Sequence, residues 1–285
     1  MHIEELGFIL EAFIATKRVG HRTRIEGCGI GPLDMGSKYQ KTVQRILELA
    51  DIITLRDSHS VRWASNRLPS KTIIQGEDPA EGFVREWKRK NNTLKEKRYL
   101  SLYLRQWPYE YKGGMSDDTF QRISFNFENM LSKLIHVLCT RFDLRPRLLA
   151  MHHFCIGGDD RDFNRNLVRN HLKDLDVLLE RRPFNLHEIL NSMQESKLCL
   201  CMRYHSVLFA YHLSKRFIAI DYSRGGKINA FLSDHGSTDR LLSLENVAKG
   251  EWMQIISLVE SWFELSKSIR WEPNSTLLGT EPSNG

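Results

Sequence analysis

The sequence predicts an α/β protein built on parallel sheets, and three observations point to this class. Short apolar runs alternate along the chain with amphipathic stretches of helical period, as strands joined by crossover helices do. Glycine, aspartate or arginine residues follow several of these apolar runs directly. The 285 residues, 41% of them hydrophobic, suffice for one large or two ordinary domains with cores.

The first domain is predicted to span residues 1–92. Its predicted elements are a helix at residues 3–18, a strand at 23–27, a helix at 38–50, and strands at 51–56 and 71–75. About three strands are expected in this domain, fewer than the five or six of an average sheet. We therefore expect the first domain to be truncated on its N-terminal side.

A charged segment separates the two series of elements. Residues 85–98 carry seven basic and two acidic residues and have little apolar content. This composition favours a domain boundary, which we place after residue 92. The solvated face of a helix would explain the same charges.

The second domain is predicted to span residues 93–271 and to repeat the alternation of strands and helices. Strands are predicted at residues 99–104, 148–151, 198–202 and 217–221, and helices at 120–138, 163–179, 186–193, from 205, from 227, and at 252–269. Residues 272–285 are polar and contain proline and glycine. We expect this last segment to be a disordered tail.

Composition excludes several classes of protein. No apolar run approaches the roughly 20 residues of a membrane helix, and the first residues lack a secretory signal, so we expect a cytoplasmic protein. The net charge of +6 favours anionic partners. Such partners could be nucleic acid, acidic membrane or phosphorylated metabolites, and charge alone does not choose among them. Because no nucleic-acid motif accompanies the charge, we expect no nucleic acid and at most peripheral membrane contact.

The five cysteines indicate neither a disulfide framework nor a metal site. Their number is odd, and the chain is large, so we expect them to be reduced. Cys199 and Cys201 alternate within an apolar run, which favours buried strand residues over zinc ligands. A polar cluster at His152, His153 and residues 159–161 could in principle bind a metal, but no ligand pattern is complete, and we predict no metal site.

Candidate functional residues follow the predicted strands of the first domain. Ligands of open parallel sheets bind beyond the carboxyl ends of strands, where glycine turns present backbone N–H groups. Gly29 and Gly31 follow the first strand and could allow such an approach, although a tight turn explains them equally well. Arg56 and Asp57 follow the second strand: Arg56 could bind an anion, or Asp57 could cap the next helix and pair with it.

The strongest candidates follow strands of the second domain. Arg203, His205 and Ser206 follow an apolar strand at the start of a helix, where an arginine can bind an anion and a histidine can transfer a proton. Tyr222 and Lys227 follow the next strand. A cation at a helix start opposes the helix dipole, which indicates a bound anion, although a solvated loop lysine is an equal alternative.

Five motifs, taken in order, resemble those of the polysaccharide pyruvyl transferase family. They are a G-x-GIGP turn at residues 27–32, an (I/V)T-x-RD segment at 53–57, the pair Asp78-Pro79, an MR-x-H strand end at 202–205, and Tyr222 with Lys227 ahead of Ala230-Phe231. The resemblance covers about residues 3–235. It depends on the order of the motifs, since each one alone is common.

The resemblance implies a GT-B-like fold, in which two Rossmann-like domains with parallel sheets face each other across a cleft. It also implies an enzyme that moves pyruvate from phosphoenolpyruvate to a sugar or lipid-linked oligosaccharide without a cofactor. By this resemblance Arg56, Arg203 and Lys227 hold the donor, and His205 handles the proton. Gly29, Gly31, Asp57, Tyr222 and Ser206 are the further substrate-binding residues.

The chain departs from the family pattern at three places. An N-terminal stretch with a glycine-rich turn and an acidic residue is not matched, which would remove an acceptor-side catalytic group. Tyr204 stands where leucine is usual between the arginine and the histidine. A glycine pair lengthens the turn before Lys227. The alternatives are a GT-B glycosyltransferase that binds a nucleotide sugar through Arg203 and Lys227, or a non-catalytic fragment.

Overall fold

Strands and helices alternate along most of the chain. The structure, a computed structural model, describes residues 3–31, 36–91, 95–154, 158–214, 216–223 and 226–268. The strands are β1 (Arg24–Cys28), β2 (Ile52–Leu55), β3 (Ile73–Gln75), β4 (Lys97–Tyr103), β5 (Arg145–Leu148), β6 (Leu178–Leu179), β7 (Ser196–Cys201), β8 (Phe217–Asp221) and β9 (Leu241–Ser243). The helices are α1 (Ile3–Arg18), α2 (Ser37–Leu49), α3 (Ser58–Arg67), α4 (Pro79–Lys90), α5 (Asp117–Phe142), α6 (Asp160–His171), α7 (Leu186–Gln194), α8 (Tyr204–Leu213), α9 (Lys227–Asp234), α10 (Leu244–Lys249) and α11 (Met253–Ser268).

The strands form two sheets, and all their pairings are parallel. The small sheet has the order β1-β2-β3, and the large sheet has the order β6-β5-β4-β7-β8-β9. The predicted α/β class with two parallel sheets is therefore confirmed.

The order of the large sheet defines where a ligand should bind. Its first strand, β4, lies in the middle of the sheet between β5 and β7. The chain builds outward from β4 to β6, then returns to the other side of β4 and continues from β7 to β9. The crevice beyond the carboxyl ends of β4 and β7 is thus the topological switch point, the usual ligand site of such sheets.

Two predicted elements of the second domain are corrected by the structure, and two of its strands were not predicted. Strand β5 lies three residues earlier than the predicted strand at 148–151, because Leu148 is the last residue that pairs within β5. The helix predicted at 163–179 starts at Asp160 and ends at His171, and residues 178–179 form β6. The edge strands β6 and β9 were not predicted because runs of two and three residues carry no detectable period.

Each sheet has a hydrophobic core of its own. The small core joins α1, α2, β2 and α3 through residues such as Leu47, Ile53 and Ala64. The large core surrounds β4, β7 and β8. Helix α4 follows the small sheet in sequence but buries Val84 and Trp87 in the large core. The charged segment at 85–98 is accordingly in part the solvated face of α4, and the boundary after residue 92 stays a prediction.

Several chain-wide expectations can be set against the described residues. Cys28, Cys139, Cys199 and Cys201 are free thiols, and burial raises the pKa of Cys199 to about 12. In the part of the chain that the structure describes, no helix has the length and apolarity to cross a bilayer. Cys155 and the tail at 272–285 lie outside the described residues.

Candidate active site

Arg56 lies at the carboxyl end of β2 and is held by two buried carboxylates. Its Nη1 lies 2.7 Å from Oδ2 of Asp78, and its Nε lies 3.9 Å from Oδ2 of Asp57. Both aspartates also cap helices: Asp57 accepts from Ser60 N at 2.8 Å, and Asp78 accepts from Ala80 N at 3.0 Å. Capping fixes these carboxylates, so they in turn fix the guanidinium.

Gly29 makes room for this arginine. A Cβ at position 29 would lie 2.8 Å from Nε of Arg56 and 2.9 Å from Oδ2 of Asp57. The glycine turn is therefore needed for close approach of the backbone to Arg56. Gly31 has open space around its Cα, and its carbonyl accepts from Tyr39 Oη at 2.9 Å. Pro32, the last residue of the motif, lies outside the described residues.

Arg203 follows β7 on the opposite side of the cleft. Its Nε donates to Oδ2 of Asp160 at 3.1 Å, and its Nη2 pairs with Oδ1 of the same carboxylate. Asp160 is buried and also accepts backbone N–H bonds from Met151 and His152. This two-point pairing sets the plane of the guanidinium.

Tyr204 lies between the cations of the two sheets. The guanidinium of Arg56 lies 3.8 Å from the centre of the Tyr204 ring, and Nζ of Lys227 lies 5.7 Å from it. Both distances are within the range of cation–π attraction. The tyrosine that replaces the usual leucine thus joins Arg56, from the small sheet, to Lys227, from the large one.

His205 is half exposed at the start of α8 and faces the small sheet. Its Nε2 lies 3.9 Å from Oδ2 of Asp78, the carboxylate that holds Arg56. Burial lowers the pKa of His205, Asp78 raises it, and Arg56 and Lys227 lower it further. The net pKa of His205 is lowered, so the imidazole is mainly neutral at pH 7 when the site is empty, and a bound anion would favour its protonated form.

The pKa of Lys227 is affected by the charges of the neighbouring arginines. Lys227 is exposed to solvent, but desolvation by the surrounding protein lowers its pKa to about 8, and the charges of Arg56, Arg105 and Arg203 act in the same direction. Asp221 partly opposes them. Because Coulomb interactions fall with distance, Arg56, Arg105 and Arg203 each lie near enough to Lys227 to affect it, an arrangement that suits a small anion with more than one charge.

Arg105 is a site residue that the sequence analysis missed. It follows β4 directly, at the switch point, and its Nη1 donates to Tyr222 Oη at 2.9 Å. Tyr222 is itself buried, and its carbonyl accepts from Trp107 Nε1 at 3.3 Å. The predicted role of Tyr222 is thus accompanied by a structural one, which is to position Arg105. The rule of strand ends, applied to residues 99–104, would have found this arginine.

Ser206, which was predicted to bind substrate, is instead hydrogen-bonded within the protein. Its side chain is fully buried, and its Oγ donates to the carbonyl of Arg203 at 2.6 Å. It therefore supports the turn that carries Arg203. As for metals, no group of three or more His, Cys, Asp or Glu side chains within the described ranges is arranged to hold an ion.

The fold and the candidate site define an α/β protein with two parallel sheets, in which arginines, a lysine and a histidine follow the carboxyl ends of the strands. The chain belongs to the polysaccharide pyruvyl transferase family, whose sequence model matches residues 6–224. This family assignment makes it a transferase of polysaccharide modification. No curated protein matches the sequence.

Several solved structures are similar to the chain at low sequence identity. An apo structure of OtsA is 10% identical, with 94% of this chain and 71% of that chain covered and a TM-score of 0.46. The heptosyltransferase WaaC of E. coli is 11% identical, with 90% and 69% covered and a TM-score of 0.38. A trehalose-phosphate synthase from Burkholderia xenovorans is 8% identical, with 91% and 70% covered and a TM-score of 0.43.

Proposed function

We propose that the protein transfers the pyruvyl group of phosphoenolpyruvate to sugar hydroxyls and forms a pyruvate ketal in polysaccharide biosynthesis. The observation that carries the proposal is the arrangement of cations at the strand ends: Arg56 and Lys227 both contact the ring of Tyr204, and Arg203 follows β7 just before that tyrosine. Phosphoenolpyruvate combines a carboxylate with a phosphate whose second pKa is about 6, so it is a small multiply charged anion at neutral pH. Its binding would compensate the excess positive charge.

The four cations have distinct places around such a donor. Arg203 and Arg105 follow the two strands that flank the switch point, and each has its guanidinium fixed by a buried partner. Arg56 approaches from the small sheet. Lys227, whose pKa is lowered by desolvation and by the neighbouring arginines, would be stabilised in its charged form by a bound anion. Fixed cations of this kind stabilise charge that moves during a reaction without reorganising.

His205 is the group that we assign to proton transfer. As general acid it protonates the methylene carbon of the enol, and a sugar hydroxyl adds to C2 and releases its proton. The bond from C2 to the phosphate oxygen then breaks, phosphate leaves, and a second hydroxyl closes the ketal and releases its own proton. Of the two protons released, one restores His205 and the other leaves with phosphate. Asp78, 3.9 Å from Nε2, stabilises the imidazolium form.

The remaining components of the proposal concern the partners. The acceptor is a sugar or a lipid-linked oligosaccharide, since the reaction needs two hydroxyls on one sugar. The cations already supply the charge stabilisation that the donor requires, so neither a nucleotide nor a metal cofactor is part of the mechanism. Gly29 and Asp57 contribute by holding Arg56 in place.

Two measurements test this function. Calorimetric titration should show that phosphoenolpyruvate binds and that UDP-glucose does not, and the reverse result would favour a glycosyltransferase. Release of phosphate from phosphoenolpyruvate in the presence of a pool of oligosaccharides should fall about 100-fold or more in His205→Ala, while donor binding persists. The matched control is His187→Ala, an exposed histidine on α7, which should retain full activity. Undiminished phosphate release in His205→Ala would refute the assigned role.

A further inference from the structure

Helix α9 has Lys227 as its first residue and Asp234 as its last, and its two ends lie against different parts of the protein. The residues between them include three that are buried in the large core, namely Ile228, Phe231 and Leu232. Helix α9 is therefore fixed to the large sheet along its length. A group at either end of this helix has a defined position relative to that sheet.

The carboxylate of Asp234 contacts the small sheet and its helix α3. Its Oδ2 accepts from the backbone N–H of Ser58 at 2.8 Å and from Nε2 of Gln75 at 3.4 Å. Ser58 is the first residue of α3, and Gln75 is the last residue of β3. One side chain at the end of α9 therefore joins a helix and a strand of the small-sheet side to the large core.

The location of Asp234 is explained by α3 and not by α9. A carboxylate at the last residue of a helix lies near the negative end of the helix dipole, which is unfavourable. At the first residue of α3, the same carboxylate lies near the positive end and accepts from an N–H group that has no partner within the helix. Asp57 accepts from Ser60 N at 2.8 Å, so two carboxylates from distant parts of the chain share this helix start.

The contact with Ser58 acts on the segment that carries Arg56, two residues earlier in the chain. The guanidinium of Arg56 lies 3.8 Å from the centre of the Tyr204 ring, and Nζ of Lys227 lies 5.7 Å from the same point. Lys227 begins α9, and the other end of α9 holds the backbone of Ser58. The contact therefore determines where Arg56 lies relative to Lys227.

We propose that Asp234 is a positioning residue for an anionic donor, because it holds Arg56 and Lys227 at a fixed separation across the cleft. The two ends of α9 are about 10 Å apart, so Asp234 acts through the Arg56 segment and not on the donor itself. Groups that are already in place bind a ligand more tightly, since less ordering is needed. That the donor is phosphoenolpyruvate rests on the proposed function, whereas the contact between Asp234 and Ser58 does not.

The first measurement is the exchange of the Ser58 amide hydrogen, followed by NMR in protein that contains ¹⁵N-labelled serine. In Asp234→Ala this hydrogen should exchange about tenfold faster or more, because the N–H group loses its acceptor. Asp234→Asn keeps a side-chain oxygen that can accept the bond, so its exchange should increase less. Asp239→Ala, which changes an exposed aspartate that follows α9 in the chain, is the matched control and should leave the exchange unchanged.

The second measurement is donor binding by calorimetry, with phosphoenolpyruvate and UDP-glucose as separate probes. We expect Asp234→Ala to weaken phosphoenolpyruvate binding about fivefold, the typical size of the loss of a helix cap. Asp234→Asn and Asp239→Ala should each change it less than about twofold. In phosphate release, Asp234→Ala should raise KM and change kcat less than about twofold, because His205 and Asp78 belong to helices that are packed in the large core.

The outcomes distinguish this inference from the proposed function. Unchanged exchange of the Ser58 amide in Asp234→Ala, or donor affinity equal to that of the unmodified protein, would overturn the positioning role. If UDP-glucose binds in place of phosphoenolpyruvate and Asp234→Ala weakens its binding about fivefold, the pyruvyl donor is overturned and the positioning role is retained. Binding of neither probe to the unmodified protein would overturn both. Asp234 is exposed, so its variants will fold.

Discussion

The two sides of the cleft differ in how their charges are balanced. On the small-sheet side, Arg56 lies next to two carboxylates, those of Asp57 and Asp78. On the large-sheet side, Arg105 and Arg203 each lie near enough to Lys227 to lower its pKa, and Asp160 pairs with Arg203. The small-sheet side of the cleft, at the end of β2, therefore has a neutral or slightly negative charge. The large-sheet side, formed by β4, β7 and α9, has a positive charge.

The difference indicates a division of roles between the two sides. A multiply charged donor binds most strongly to the positive side, at the switch point of the large sheet. The small-sheet side then contributes one oriented arginine and the carboxylate of Asp78, which lies beside His205. Three substitutions test this difference between the two sides.

The largest effect is expected from Asp160→Asn, which breaks the buried ion pair on the positive side. Asp160 is almost fully buried, and removal of one partner of such a pair typically lowers the free energy of unfolding by about 3–5 kcal/mol. The partial exposure of Arg203 favours the lower end of that range. Urea denaturation measures the change. Asp118→Asn, an exposed aspartate in the first turn of α5, should change it by less than about 0.5 kcal/mol, and equal effects of the two would contradict the assigned pair.

A smaller effect is expected from Glu81→Gln, which weakens the attachment of α4 to the large core. Burial raises the pKa of Glu81, but hydrogen bonds with His212 and His235 outweigh it and lower the pKa to about 2. Arg85 lies 3.8 Å away on the same helix. Loss of the charge should lower the free energy of unfolding by about 1–3 kcal/mol at pH 6.

The same variant should change how stability depends on pH. The hydrogen bond with Glu81 raises the pKa of His235 above 6.5, so its stabilising contribution is complete below pH 6.5 and is lost as pH rises past the raised value. The unmodified protein should therefore lose stability as pH rises from 6.5 past the raised pKa of His235, and Glu81→Gln should lose less. Glu86→Gln, on the exposed side of α4, should retain the full dependence, measured as thermal unfolding at each pH.

The smallest effect is expected from Lys227→Arg, which changes how donor binding to the positive side depends on pH. Since the pKa of Lys227 is lowered to about 8, the lysine loses its proton near that pH and the positive side loses one charge. Phosphoenolpyruvate binding to the unmodified protein should weaken about tenfold between pH 7 and 9 if the charged lysine is required. An arginine stays protonated, so calorimetry should show a nearly constant affinity. Parallel profiles for the two proteins would remove Lys227 from the donor site.

The sequence allowed much of the site to be predicted because strand ends are local features. Arg56, Arg203 and His205 each follow a recognisable apolar run, and the sheet order brings them to one cleft. Arg105 follows such a run as well, but no glycine turn stands beside it in the sequence. The pairing of Arg203 with Asp160 joins residues 43 positions apart, and a contact of that kind has no local pattern.

The misplacement of strand β5 in the sequence analysis has a different cause. Strand β5 contains two arginines and a proline, which hide its strand character in the sequence. In the fold, Arg147 pairs with Glu180 at 2.9 Å and lies over the ring of Tyr99. Tertiary partners thus make a polar segment acceptable within a sheet, and propensity alone cannot anticipate them.

Helix α4 has a mechanical consequence for the cleft. It is joined to β3 by a few residues, yet its body is anchored in the opposite core through Val84 and Trp87. The ion pair between Arg56 and Asp78, at 2.7 Å, therefore connects the small sheet to a helix that is packed in the large core, although its residues lie only 22 positions apart. Any hinge motion that moves the three-stranded sheet away from α4 must break this ion pair. The motion would thereby separate Arg56 from Asp78, the carboxylate that lies beside His205.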